Sequence, residues 1–376
     1  MGFDIDKALT YMVEREGSDL HVKVDSPPVA RVHGDLWALK GSEPLTDSDT
    51  EKALHAIADQ DHLTEFEENG EVDFSYELPG VARFRVNAFM QRGVVSIAMR
   101  AIPFQVKSIE DLGLPEVVRR LADEPRGIVL LTGTTGSGKS TTLAAMIDHI
   151  NSTRARHIVT MEDPIEYLHH DKLSIINQRE VGTDTKSFAN ALKYALREDP
   201  DVILVGEMRD LETISATLTI AETGHLALAT LHTNSAAESI NRIIDVFPPS
   251  QQTQVRTQLA FVLEGVVTQT LLQKAKGRGR AMAAEIMVAT PAVRALIRDE
   301  KVHQIYSAMQ AGKKHGMQTM NDALYQLYMT REVALDECTR VSGDPNEFLR
   351  MIGESPVEEE MGHADNKTPS RSAPRR

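Results

Sequence analysis

A single cysteine, Cys338, stands in a chain of 376 residues. One thiol cannot close an internal disulfide, and it cannot build a cysteine-based zinc site alone. Long apolar runs are missing too: no stretch approaches the roughly 18–20 apolar residues that a spanning helix needs. The opening residues, Met1-Gly2-Phe3-Asp4-Ile5-Asp6, bring acids early and no basic segment ahead of an apolar one. A secretory signal is therefore not expected, and a cytoplasmic chain is. Positive charge is also short: 41 Lys+Arg against 55 Asp+Glu leave a formal net charge of −14. That balance disfavours a broad electrostatic grip on DNA or RNA, so phosphate recognition has to come from a local device. Hydrophobic residues, at 41%, suffice for ordinary packed cores. The length suits two domains of roughly 100–200 residues each.

Residues 1–100 read as a small α+β domain. Helical spacing is expected over 5–15 and 47–57, and strands over 20–24, 29–32, 72–78, 82–90 and 94–100. Alternation in the run from 82 puts Ala82, Phe84, Val86, Ala88 and Met90 on one face, and Arg83, Arg85, Asn87 and Phe89 on the other. Residues 101–115, bracketed by Pro103 and Pro115, read as a linker. From 116 to 353 short apolar runs alternate with helices. Strands are expected at 128–131, 158–161, 202–205 and 226–231, with helices at 140–150, 187–197 and 211–223. Strands alternating with helices predict a parallel sheet covered on both faces. Beyond residue 250 the pattern turns mainly helical, with one long amphipathic helix expected over 251–272. Thr290-Pro291 and Asp344-Pro345 look like helix starts, and Glu347 is placed to complete a capping box with Asp344. Residues 354–376, rich in Glu, Ser, Pro and Arg, read as a disordered tail.

The segment Gly133-Thr134-Thr135-Gly136-Ser137-Gly138-Lys139-Ser140 fits G-x-x-x-x-G-K-[ST] at every fixed position, between an expected strand and an expected helix. Glycines let such a loop wrap phosphate oxygens and present backbone N–H groups, and the helix N-terminus adds partial positive charge. Lys139 is then expected to reach the β and γ phosphates of ATP, Ser140 to ligate Mg²⁺, and Thr141 to extend the binding loop.

Acids follow two of the apolar strands. Asp201-Val202-Ile203-Leu204-Val205-Gly206-Glu207 has the Walker B pattern, which puts Glu207 at the carboxyl edge of the sheet. There it can hold the Mg²⁺ shell or polarise water. Glu162-Asp163-Pro164-Ile165-Glu166 brings three more acids to the same edge, one of them a candidate base for the attacking water. Spacing alone does not choose among Glu162, Asp163 and Glu166, and three are more than catalysis needs. His225 and His232 bracket the run 226–231, and His232 is placed to contact a γ-phosphate. Neither has metal-ligand spacing.

Together these segments resemble the type IV pilus retraction ATPases, the PilT family of secretion ATPases. The resemblance runs from about residue 4 to 352. It includes Gly17-Ser18-Asp19-Leu20-His21, Phe84-Arg85-Val86-Asn87, Asn177-Gln178-Arg179-Glu180-Val181-Gly182, Ala221-Glu222-Thr223-Gly224-His225, Leu231-His232-Thr233 and Gly316-Met317-Gln318-Thr319-Met320. It implies a PAS-like N-terminal domain joined to a RecA-like ATPase domain, assembled as a homohexamer at the cytoplasmic face of an inner-membrane pilus base. The implied partners are a membrane-embedded platform protein and a paralogous pilus ATPase. The implied roles are a general base for Glu166, Mg²⁺ and water support for Glu207, and γ-phosphate contact for His232. Arginines from the first domain complete the site, often across a subunit boundary, with Arg83 and Arg85 the candidates, and Arg92 and Arg100 further contenders. With Cys338 alone, the four-cysteine zinc element of the resembling assembly ATPases is missing, which favours retraction. The stretch Ala292-Val293-Arg294-Ala295-Leu296 departs from the retraction motif A-I-R-N-L at its second and fourth positions. Residues 226–230 lean towards the accessory paralogue PilU, and 198–201 lean back. The rival readings are a regulatory nucleotide-binding module, which intact acids at both strand ends disfavour, and a nucleic-acid motor, which the negative charge disfavours.

Overall fold

The computed structural model describes residues 3–32, 34–102, 106–276 and 279–355. From residue 356 onward the expected tail lies outside the described residues, as does part of the expected linker, 103–105.

Period-two alternation builds the first sheet. Helix α1 (Ile5–Val13) starts where Asp4 accepts the N–H of Lys7 at 3.1 Å, and it buries Ile5, Ala8, Leu9 and Met12. Strands β1 (Gly17–Lys23), β2 (Val29–Val32) and β3 (Asp35–Ala38) follow, then helices α2 (Asp47–Ile57) and α3 (Gln60–Asn69), then β4 (Glu71–Leu78), β5 (Ala82–Gln91) and β6 (Val94–Ile102). All pairings are antiparallel, in the order β3-β2-β1-β6-β5-β4. One face buries Leu20, Phe84, Val86 and Ile97 against α1 and α2. The other face is polar. Paired positions run across it from Ser75 through Arg85 and Arg100 to Asp19. One local expectation differs, and two elements arise that the sequence pattern did not mark. Met90 is exposed at the hairpin end of β5 rather than buried with Ala88. Both β3 and α3 escape the pattern reading, because β3 is exposed along its length and α3 buries no side chain.

The second sheet is built on α4 (Glu116–Ala122), β7 (Gly127–Thr132), α5 (Lys139–Thr153), β8 (His157–Glu162), β9 (Ile175–Glu180), α6 (Phe188–Ala195), β10 (Val202–Val205), α7 (Leu211–Glu222), β11 (Leu226–Leu231), α8 (Ala236–Asp245) and α9 (Pro249–Val262). A hairpin of β12 (Leu263–Gln273) and β13 (Arg280–Val288) completes it, in the order β13-β12-β7-β11-β10-β8-β9. Every neighbour is parallel except β12 with β13. Strands β7, β10 and β11 are buried at every residue, as expected of a parallel sheet with both faces covered. Helices α6 to α9 cover one face, and α4 and α5 the other.

The long helix expected over 251–272 is a correction. Helix α9 ends at Val262, Leu263 turns extended, and 263–273 is a strand. β-branched Val266, Val267, Thr268 and Thr270 favour the sheet. Gly265 lets the strand pass under α4: a Cβ there would lie 2.8 Å from both methyl carbons of Leu121.

The remaining helices are α10 (Pro291–Arg298), α11 (Ile305–Ala311), α12 (Met320–Met329), α13 (Leu335–Val341) and α14 (Pro345–Ile352). Thr290 caps α10, and Asp344 caps α14 by accepting the Glu347 N–H at 2.9 Å. Glu347 does not return the bond. Its carboxylate accepts instead from Asn321 Nδ2 at 2.6 Å and Gln310 Nε2 at 2.7 Å. Cys338 is buried among Leu324, Phe348 and Ala283. No helix among the described residues is long and apolar enough to cross a membrane.

Candidate nucleotide site

The loop after β7 takes its shape from three left-handed glycines. Gly133, Gly136 and Gly138 have φ of 136°, 79° and 95°, a region that costs residues with a Cβ. At Gly133 space also forbids a side chain, since a Cβ would collide with the Gln269 carbonyl and the Ser137 hydroxyl. Helix α5 opens at Lys139, so its unpaired N–H groups and dipole face the loop. Lys139 Nζ donates to the carbonyls of Gly133 at 2.8 Å and Thr134 at 3.1 Å. An ammonium has three N–H donors, which leaves one for a further acceptor. Burial lowers the Lys139 pKa, while Glu207 and Glu166 raise it, so both carboxylates act on this ammonium.

A cleft of about 520 Å³ opens over this loop. Thr135, Gly136, Gly138, Lys139, Ser140 and Thr141 form its floor. Glu162, Asp163 and Glu166 arrive from the end of β8, and Glu207 and His232 from the ends of β10 and β11. This is the carboxyl edge where ligands of open α/β sheets bind. Gly133, Thr134 and Ser137 support the floor from outside the lining. Ser137 Oγ is buried without a hydrogen-bond partner. Thr141 Oγ1 pairs with the Tyr167 hydroxyl at 2.8 Å.

The acids divide by environment. Burial pushes the Glu162 carboxyl up, against hydrogen bonds from Thr160 Oγ1 at 2.7 Å and Gln178 Nε2 at 3.2 Å. Through Gln178 its carboxylate ties the end of β8 to β9. Glu207 is also raised by burial, but Arg209 at 2.7 Å and His232 Nε2 at 3.3 Å outweigh this and hold it below the usual carboxylate range. An ionised carboxylate thus stands at the sheet edge. Asp163 is exposed and acts on Arg209 across the cleft. Glu166 faces two spaces: the main cleft, and a groove of about 190 Å³ that it lines with Arg85 and Arg100.

The structure separates the other candidates. His225 lies at the amino end of β11, opposite to the cleft, where its Nδ1 meets Thr223 Oγ1 at 3.0 Å and the Ile220 carbonyl at 3.1 Å. Strand polarity explains this: residues before and after one strand lie at opposite sheet edges. Arg83 is 97 positions from Glu180 in sequence yet bonded to it at 3.2 Å, with a side chain only 18% exposed. It lines neither the cleft nor the groove, whereas Arg85 is exposed to the groove. Arg100 is engaged by Asp19 at 2.8 Å, and Arg92 lies in the β5–β6 turn at the far end from Arg83. Sequence reasoning missed Arg209, Arg280, Tyr167 and His169, all of which line the cleft. Arg209 follows Glu207 by two residues, a spacing that could have marked it. Arg280 comes from the start of β13, with no local signal.

Comparison with known proteins places this geometry in a family. A family profile described as type II/IV secretion system protein matches residues 68–340. The chain is 49% identical over 345 residues to the type IV pilus retraction ATPase PilT of Pseudomonas aeruginosa, covering 92% of this chain and all of that protein. It is 40% identical over 349 residues to the type IV pilus ATPase PilU of the same organism, covering 93% and 91%. A crystal structure of the pilus retraction motor PilT with bound ADP superposes with a TM-score of 0.88, at 49% identity over 93% of this chain and 100% of that one. With its P-loop, acidic loop and sheet-edge glutamate in one cleft, and with half of its residues shared across a whole relative, the chain belongs to the PilT family of type II/IV secretion ATPases.

Proposed function

We infer that this protein is an ATP-hydrolysing motor that powers the retraction of type IV pili. The observation that carries the reading is the convergence of Lys139, Glu207 and Glu166 in one cleft, with Glu166 shared by a groove that holds Arg85. The loop N–H groups and Lys139 bind the β and γ phosphates. Glu166 accepts the proton of the attacking water, and Glu207 and His232 orient water and γ-phosphate. Arg85, lying against the groove that Glu166 lines, supplies charge as the γ-phosphate departs. The Ser140 hydroxyl and the ionised Glu207 are the oxygen donors that suit Mg²⁺, which would supply charge neutralisation at the phosphates.

The greater identity to PilT, 49% against 40% to PilU, favours the motor over an accessory role. We place it as a homohexamer at the cytoplasmic face of the inner-membrane pilus base. There nucleotide-driven opening of the two domains works on a platform protein, beside a paralogous ATPase. The domains themselves are assigned to 1–100 and 116–353.

Steady-state ATPase activity across a protein concentration series tests this. Turnover is expected to rise as rings assemble and to vanish in Lys139→Ala and Glu207→Ala. Wild-type protein that binds ATP but never turns it over would instead support the regulatory module.

A further inference from the structure

The segment from Asn177 to Gly182 supplies none of the groups assigned to the chemistry, yet its strand β9 clasps the acidic loop along its length. Alternation puts Gln178 and Glu180 on one face, and Arg179 turns away to Glu198 at 2.9 Å. Gln178 Nε2 donates to the Tyr167 carbonyl at 2.8 Å, and its Oε1 accepts the His169 N–H at 2.8 Å. Glu180, 5% exposed, accepts the backbone N–H of Ile165 at 3.1 Å. The residue after Ile165 is Glu166.

The same Glu180 carboxylate reaches the first domain. Oε1 accepts from Ser75 Oγ at 3.0 Å, and Oε2 accepts from Arg83 Nη2 at 3.2 Å. Ser75 and Arg83 lie on β4 and β5, on the polar face of the first sheet. A buried carboxylate is stable only when its lone pairs are met, and here the donors come from both domains.

We propose that Glu180 is a positioning residue that couples the first domain to the backbone carrying Glu166. Movement of β4 and β5 relative to the second sheet pulls on one carboxylate, and through the Ile165 N–H it moves the candidate base. This rests on the assignment of Glu166 as base, which Glu166→Gln tests separately: full turnover in that variant overturns the base and leaves the coupling to be judged by exchange.

The geometry orders the variants. A glutamine at 180 can keep its oxygen on Arg83 and Ile165 and donate its amide to Ser75, whereas alanine abandons all three. Glu180→Ala is expected to lower kcat about 10- to 100-fold, as a small misplacement of a reacting group does, with the Kd for ADP within about twofold. Glu180→Gln is expected to restore kcat to within about threefold of the unaltered hexamer. Amide hydrogen exchange should speed up in residues 163–168 of Glu180→Ala and stay unchanged in the loop 133–140. An alanine variant with kcat within about twofold of normal, a glutamine variant as slow as alanine, or unchanged exchange at 163–168 would each overturn the proposal. Should Glu180→Ala fail to assemble, Ser75→Ala combined with Arg83→Met removes both bonds to the first domain and leaves the Ile165 N–H bond in place. Faster exchange at 163–168 in that variant supports the coupling, and unchanged exchange refutes it.

Discussion

One residue of the cleft, His169, carries a pH signature of its own. Burial pulls the His169 pKa down from 6.5 to about 4, with Asp148 opposing and Lys172 and His170 assisting. The folded state thus refuses a proton that the unfolded chain accepts. Stability is full above about 6.5, falls as the pH drops towards 4, and levels off below. The gap between 6.5 and about 4 corresponds to at most about 3 kcal/mol, less what solvent screens. Thermal midpoints between pH 7.5 and 4.5 are expected to fall less steeply in His169→Asn than in the unaltered protein, and equal slopes would refute the assignment. Legibility at this scale followed sequence distance. The phosphate loop is contiguous, so its residues could be read directly. Arg83 and Glu180 meet across 97 positions, and no local pattern reveals that Arg83 is taken while Arg85 remains available.

Elements were legible where one period dominates. β10, β11 and α2 match their sequence reading residue for residue. β9 is a sheet edge whose outward Ile175 is 60% exposed, so its apolar residues carry no burial signal. β12 is packed on both faces, and its mixture of apolar residues with Glu264, Thr268, Gln269 and Thr270 joins the periodic pattern of α9 without a proline between them. Leu263 turns the chain extended, and Gly265 makes room for the new strand beneath α4. Gly265→Val is expected to destabilise the protein by roughly 1–3 kcal/mol through overpacking against Leu121, read as a lowered urea midpoint. Gly343→Val has open space around the new side chain and serves as the comparison.

For the whole molecule the decisive feature is a groove lined from both sheets. Arg85 and Glu166 line the same groove of the same chain. Arg85→Gln is expected to lower kcat by roughly 1,000-fold or more, in line with the loss of an arginine that stabilises phosphoryl transfer. Rings mixed from Arg85→Gln and Glu166→Gln subunits are expected to stay inactive, because each subunit then holds one defective half. Recovery of turnover on mixing would show that the arginine serves a neighbour.

The β12–β13 hairpin places its turn end, through Leu271 and Arg280, in the wall of the cleft. Near its other end, Ile286 exchanges backbone hydrogen bonds with Gln318 at 2.8 and 3.1 Å, just before α12. Nine paired residues run from Gly265 to Gln273, a ribbon roughly 25–30 Å long. The hairpin thus joins the wall of the cleft to the C-terminal helices by an unbroken run of backbone pairing.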